Sequence, residues 1–165
     1  MSPPCATVPK KRSLSMNARY AHTNLIAEDW RALARFYQEV FGCTLLSPER
    51  HFQGGDLERG TGVPAARLDG VHLLLPGHGE RGPTLEIFTY GSHEHREPQA
   101  ANRPGYGHIA FAVDDVPESR AKVIASGGGI VGDVVTLRIS PSAQITWCYV
   151  SDPEGNIIEL QSYGP

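Results

Sequence analysis

Gly105-Tyr106-Gly107-His108-Ile109-Ala110-Phe111-Ala112-Val113-Asp114-Asp115 is the stretch whose reading decides the fold. On a strand, alternate side chains share a face. Ile109, Phe111 and Val113 then form one apolar face, and Tyr106, His108, Ala110 and Ala112 point the other way. A histidine followed by two alanines suits a crowded, concave face. The stretch closes on a helix start: Asp115-Val116-Pro117-Glu118 offers an acidic N-cap, an early proline and a glutamate at the third helical position. Taken alone, His108 reads better as a histidine tethered in or near a core. A second copy of the pattern upstream changes its meaning.

Arg19 to Ala27 reads as a strand with Tyr20, His22 and Asn24 on one face, and Asp29 can cap a helix after it. Trp30, Leu33, Phe36, Tyr37, Val40 and Phe41 recur at helical spacing, and Gly42 ends the helix. The aromatic stripe is core packing against a sheet. The two copies match in spacing: His22 precedes Asp29 by seven residues, and His108 precedes Asp115 by seven. Each copy continues through further strands to one with a glutamate between apolar neighbours, Leu85-Glu86-Ile87 and Ile158-Glu159-Leu160. Internal repetition is a fold-level signal. It predicts an α+β protein: two βαβββ modules side by side, forming one curved, cup-shaped mixed sheet with helices on its convex face.

Between these landmarks, Thr44 to Leu46 reads as a short strand and Ser47 to Ala66, with Gly54-Gly55, Gly60 and Gly62-Val63-Pro64, as a long flexible loop. Gly60-Thr61-Gly62 lacks the Lys-Ser that would follow in a phosphate-binding loop. Strands are expected over Arg67 to Leu75 and Thr84 to Tyr90. The latter puts Leu85 and Ile87 on one face and Thr84, Glu86, Phe88 and Tyr90 on the other. Residues 91–104 are polar and proline-bearing and read as a linker, in which His93-Glu94-His95 is solvated. In the second copy the helix runs to about Ser126. Strands follow near Ile130–Val135 and Gln144–Val150, and Asp152-Pro153-Glu154-Gly155 is a turn signal before a last strand from Asn156 to Ser162. The organisation expected is therefore a disordered tail over 1–17 and a single domain over 18–163, built of module 18–90, linker 91–104 and module 105–163.

Composition narrows the function classes. The chain has 165 residues, 40% apolar and 20% charged, as in a soluble globular protein with a real core. A net charge of −3 argues against sequence-independent nucleic-acid binding, which needs Lys and Arg to neutralise phosphates. Cys5, Cys43 and Cys148 are odd in number and scattered, which fits a reducing, cytoplasmic setting better than a disulfide framework. No apolar run has the length of a membrane span. Lys10-Lys11-Arg12 reads as a solvated basic cluster, and the domain is expected to begin near Met16.

The repeat puts His22, Glu86, His108 and Glu159 at corresponding places, each facing away from its strand's most apolar face. Two imidazoles and two carboxylates form a borderline-hard donor set suited to Zn, Ni, Co, Mn or Fe(II). Such a set leaves room for water or substrate, as a catalytic metal requires.

With Tyr20-Ala21-His22-Thr23, Phe36-Tyr37, Gly107-His108-Ile109-Ala110-Phe111 and Asp152-Pro153-Glu154-Gly155-Asn156-Ile157-Ile158-Glu159-Leu160 in hand, the chain resembles the vicinal oxygen chelate superfamily (glyoxalase, bleomycin resistance protein, dioxygenase) over about Arg19 to Tyr163. Its His, Glu, His, Glu order is similar to that of glyoxalase I, with the methylmalonyl-CoA epimerases close by. The resemblance implies a divalent metal, a substrate chelated through two neighbouring oxygens and an enolate or enediolate formed as a proton leaves carbon. Glu159 or Glu86 would be the general base. It implies a homodimer acting on a small molecule, with module pairing either within one chain or across the dimer. Glyoxalase I also carries an arginine four residues after the first ligand and an asparagine four after the second. Here Ile26 and Tyr90 stand there, which removes groups that would bind glutathione. Asn24, Phe88, Tyr90 and Tyr106 are the expected substrate-pocket residues, and the pocket they imply is aromatic. Two other readings belong to the same superfamily. An Fe(II) extradiol dioxygenase would use His22, His108 and Glu159 but has no need of Glu86. A non-catalytic sequestering protein of the resistance type would have no need of the metal set.

Overall fold

The computed structural model describes residues 16–165. Of the expected tail, residues 1–15, with Cys5 and the Lys10–Arg12 cluster, lie outside them. The elements in chain order are β1 (His22–Ile26), α1 (Trp30–Phe41), β2 (Thr44–Gln53), α2 (Gly55–Thr61), β3 (Arg67–Leu74), β4 (Thr84–Tyr90), β5 (Ile109–Ala112), α3 (Val116–Ala125), β6 (Gly129–Ile130), β7 (Val135–Ser140), β8 (Ala143–Ser151) and β9 (Ile157–Gly164). Residues between Tyr90 and Ile109 form neither helix nor strand.

The repeat is visible in the strand order. One sheet runs β1-β4-β3-β2, and the other runs β5-β9-β8-β6 with β7 also paired to β8. In each, the first strand lies parallel to the last, β1 to β4 and β5 to β9, and the remaining pairs are antiparallel. The expected α+β architecture of two repeats is present, its strands laid out in two mixed sheets, with no ladder joining β1 to β5.

Local chemistry accounts for the helices. Asp29 accepts the backbone N–H groups of Arg31 and Ala32, both at 3.0 Å, and Gly42 takes the left-handed conformation that closes the helix (φ 69°). Asp115 does the same for α3, accepting the Glu118 N–H at 2.7 Å. The apolar stripe of α1 buries Trp30, Leu33, Ala34, Phe36 and Tyr37 over the face of the first sheet that carries Val71, Leu73, Leu85 and Ile87. The same core continues into the second repeat through Phe111, Val116, Val123, Cys148, Val150, Ile158 and Leu160. Phe41 stacks on Phe111 across the junction, ring centroids 4.1 Å apart.

The segment read as a loop from Ser47 to Ala66 is largely ordered into elements. β2 is an edge strand, and its register on β3 shifts between Leu46 and Arg50, so Pro48 is tolerated at an irregularity where no ladder bond is needed. α2 follows with an Asp56–Arg59 ion pair and no buried residue. Its glycines and its lack of an apolar stripe conceal it from pattern reading. The strand expected near Ile130–Val135 is likewise split into β6 and β7, both paired to β8.

No described helix is long and apolar enough to cross a membrane.

Candidate metal centre

The helix-covered face of each sheet is core, which leaves the opposite face for chemistry. On β4, Leu85 and Ile87 are buried under α1, so Glu86 and Phe88 project from the other side. The β1–β4 register sets Asn24 beside Glu86 and Ile26 beside Phe88, and His22 lies one pair further along the same face. His22 Nδ1 is 3.3 Å from Glu86 Oε1. In the second sheet Ala110 pairs with Glu159, and His108, just before β5, reaches Glu159 Oε2 with its Nε2 at 3.0 Å. Both glutamate side chains are 15% exposed. Each repeat thus turns one imidazole nitrogen and one carboxylate oxygen toward each other at the same place in its fold.

The two pairs sit on separate sheets. No group of three or more His, Cys, Asp and Glu side chains among the described residues is arranged to hold a metal ion. Each pair by itself is spaced as ligands are. Two donors about 2.1 Å from one ion and roughly 90–110° apart lie about 3.0–3.4 Å from each other. The donor chemistry and both spacings fit half of a divalent-metal site in each repeat.

One neighbour escaped the sequence reading. β3 pairs with β4 so that His72 lies directly across from Glu86, and His72 Nε2 is 3.3 Å from Oε1, the same oxygen that faces His22. Burial lowers the His72 imidazole below the usual histidine value, Arg50 and His22 push the same way, and Glu86 opposes them. Phe88 stands edge-on to the His72 ring at 5.7 Å. The corresponding residue of the second repeat is Tyr149, across from Glu159, with its ring 4.9 Å from that of His108. Burial, with Glu159 adding to it, raises the Tyr149 phenol above its ordinary value. The period-two alternation of Val71-His72-Leu73 was the only available signal for His72.

The expected substrate residues divide between two clefts. Asn24 and Tyr106 share a cleft of about 630 Å³ with Tyr20, Ile26 and His108, in which Tyr106 is 83% exposed. Tyr90 opens instead onto a cleft with Ile26, Val63 and Pro64. Phe88 is buried against His72. In the linker, His93 is not merely solvated: its Nε2 meets Glu28 at 2.9 Å.

The match to known proteins follows this layout. Residues 19–160 match the Glyoxalase/Bleomycin resistance protein/Dioxygenase superfamily. The chain belongs to this superfamily. Among its relatives, a probable lactoylglutathione lyase of Vibrio parahaemolyticus is 27% identical over 147 residues, covering 87% of this chain and 90% of that protein. A lactoylglutathione lyase of Haemophilus influenzae is 26% identical, over 84% of this chain and 88% of its own length. Among solved structures, a glyoxalase family protein from Bacillus cereus superposes with a TM-score of 0.68 at 20% identity, covering 96% of this chain and all of that one. A glyoxalase I variant from Zea mays reaches 0.59 at 21% identity, over 87% of this chain and 44% of its own. These likenesses establish the glyoxalase fold for the chain.

Proposed function

We propose that this glyoxalase-superfamily protein is a metal-dependent enzyme that moves a proton on the carbon next to a carbonyl, in an isomerisation, epimerisation or lyase reaction. The observation that carries the reading is the pair of half-sites: His22 with Glu86 at 3.3 Å and His108 with Glu159 at 3.0 Å, at equivalent positions of the repeat. His22, Glu86, His108 and Glu159 would hold the ion. When bound, a divalent ion supplies Lewis-acid stabilisation of the negative charge that gathers on two neighbouring substrate oxygens, worth several kcal/mol. The chain's own carboxylates do the rest. Glu159 is the better proton acceptor, because its Oε2 faces His108, whereas Glu86 Oε1 is shared between His22 and His72.

A homodimer is the assembly that fits. The half-sites lie on the uncovered faces of two separate sheets, and two-fold pairing would set the first repeat of one copy against the second repeat of the other, giving two equivalent sites. Exposed apolar residues Ile26, Leu137 and Ile139 supply surface for such a contact.

The substrate we infer is a small carbonyl compound other than a glutathione hemithioacetal. The relatives named lactoylglutathione lyase are at most distantly similar. Ile26 and Tyr90 stand where glutathione-binding arginine and asparagine would be expected, and exposed Ile26 offers no partner to a glutathione carboxylate.

Metal analysis of the purified protein, joined to a screen of 2-oxo-aldehyde hemithioacetals, acyl-CoA epimers and catechols, tests the reading. The expected result is about one divalent ion per protomer and solvent-proton exchange on a carbonyl substrate. Protein that carries no metal and binds none when it is added would favour sequestration instead. Oxygen uptake with catechols would favour a dioxygenase.

A further inference from the structure

The two halves of the candidate centre are not equivalent, and the difference lies in one residue each. Across from Glu159 stands Tyr149, whose ring packs on His108. Across from Glu86 stands His72, whose Nε2 is 3.3 Å from Oε1. That oxygen also lies 3.3 Å from His22 Nδ1, so Glu86 is bracketed by imidazoles on both sides. The His72 ring is itself held: its strand is central in the sheet, Phe88 meets it edge-on, and its side chain is 23% exposed.

We propose that His72 is a positioning residue, donating its Nε2–H to Glu86 Oε1 and holding that carboxylate in place as a ligand, while Glu159 keeps the freedom to accept a proton. The proposal rests on the metal-enzyme reading above. Its physical basis is that a carboxylate which must ligate loses orientational freedom, and a fixed donor on its oxygen removes that freedom beforehand. Partners of this kind behind a metal ligand are worth about 10–100-fold in affinity. In a centre of pseudo-two-fold symmetry, such a device is also a way to give two identical carboxylates different tasks. In the second repeat the residue across from Glu159 is Tyr149, which has no imidazole to offer and whose ring packs beside His108.

The test is cobalt(II) binding to the full chain, measured by competition with a chromophoric chelator, together with the visible absorption spectrum of the loaded protein. His72→Ala should bind cobalt about 10–100-fold more weakly. His72→Gln, whose amide can donate from a similar position, should recover most of the loss. Tyr149→Phe should stay within about two-fold of the parent by the same measure, since it removes no donor from the glutamate. The cobalt spectrum of His72→Ala at saturation should match the parent's, because the ligands are unchanged. Thermal melts of each variant separate misfolding from weakened binding, and the Gln variant carries the test should the Ala variant not fold. Equal affinity in parent and His72→Ala would overturn the positioning role and leave the metal reading intact. So would a changed spectrum that Gln fails to restore, which would make His72 a ligand itself. A parent protein that binds no cobalt would overturn both.

Discussion

The hydroxyl of Tyr37 in α1 donates to the buried carboxylate of Asp152, 3.0 Å away, and so ties the first repeat's helix to the turn between β8 and β9 of the second. Asp152 is 2% exposed and accepts further from the backbone of Glu154 and Asn156 and from the Asn156 side chain at 2.6 Å. Beside it, both carboxylate oxygens of Glu154 accept backbone N–H groups of Glu28 and Asp29 at 2.9 Å. A turn that reads in sequence as a simple reversal is thus the clasp between the repeats. Its strength matters because, together with the shared core, it sets how the faces that carry the two His–Glu pairs are oriented.

Tyr37→Phe keeps the ring's packing and removes one hydrogen bond to a charged acceptor, which should cost about 1.5–3 kcal/mol. Asp152→Ala should cost more, since it orphans several buried donors at once. Urea midpoints of the two variants check both statements. A Tyr37→Phe midpoint equal to the parent's would mean that the Tyr37–Asp152 bond is energetically idle.

Gly70 sits opposite Phe88, and a Cβ added there would lie 2.1 Å from the Ile87 carbonyl oxygen and 2.4 Å from the Phe88 ring. The nearest obstacle is backbone of the neighbouring strand, which cannot swing aside. Gly70→Ala should therefore destabilise by about 1–3 kcal/mol or more, despite alanine's advantage over glycine in a regular strand. The measurement is again a denaturant midpoint. A Gly70→Ala protein as stable as the parent would contradict this close approach of β3 and β4.

How far these features could be read beforehand depended on whether they are local. Trp30–Phe41 and Thr84–Tyr90 coincide with their expected limits because caps, stripes and period-two alternation are written within each segment. The repeat marked His22 and His108, and Glu86 and Glu159, as equivalent positions; that each histidine meets the glutamate of its own repeat is seen only in the structure. His72 was not legible, because it reaches Glu86 through the β3–β4 register, and register is a relation between strands. Nor was the separation into two sheets, since β1 and β5 carry no signal of whether they pair with each other. β2 runs on to Gln53, past the expected end at Leu46, because the glycines from Gly54 to Gly62 made the whole stretch from Ser47 read as loop, and pairing with β3 is a relation that no local signal carries.

Cys43 closes α1 against the core and is 4% exposed, and burial pushes its thiol up to about 11. The sign for stability follows from linkage. The unfolded thiol loses its proton near an ordinary value of about 8.5, while the folded one keeps it, so this contribution is intact below that pH and is lost as pH rises toward the folded value. The protein should therefore lose stability on the alkaline side, between about pH 8.5 and 11. Native protein at pH 8 should also resist iodoacetamide at Cys43, since the thiolate is the nucleophile. Peptide mass mapping with and without urea reads this out. Equal labelling of Cys43 in both states would show that the thiol is neither buried nor shifted.

The division of labour proposed for the two glutamates predicts its own kinetic signature. Glu159→Gln keeps an oxygen donor but removes the proton acceptor, so solvent deuterium exchange at the substrate's acidic carbon should fall by about 10²–10⁴-fold while metal content falls much less. On the proposed reading, in which Glu86, bracketed by His22 and His72, is a ligand, Glu86→Gln should show the reverse emphasis: metal is lost first, and added metal restores part of the exchange. Exchange followed by proton NMR, with metal content measured on the same samples, separates the two. Identical behaviour of the two variants would mean that the asymmetry between His72 and Tyr149 has no chemical consequence, and that either carboxylate can take the proton.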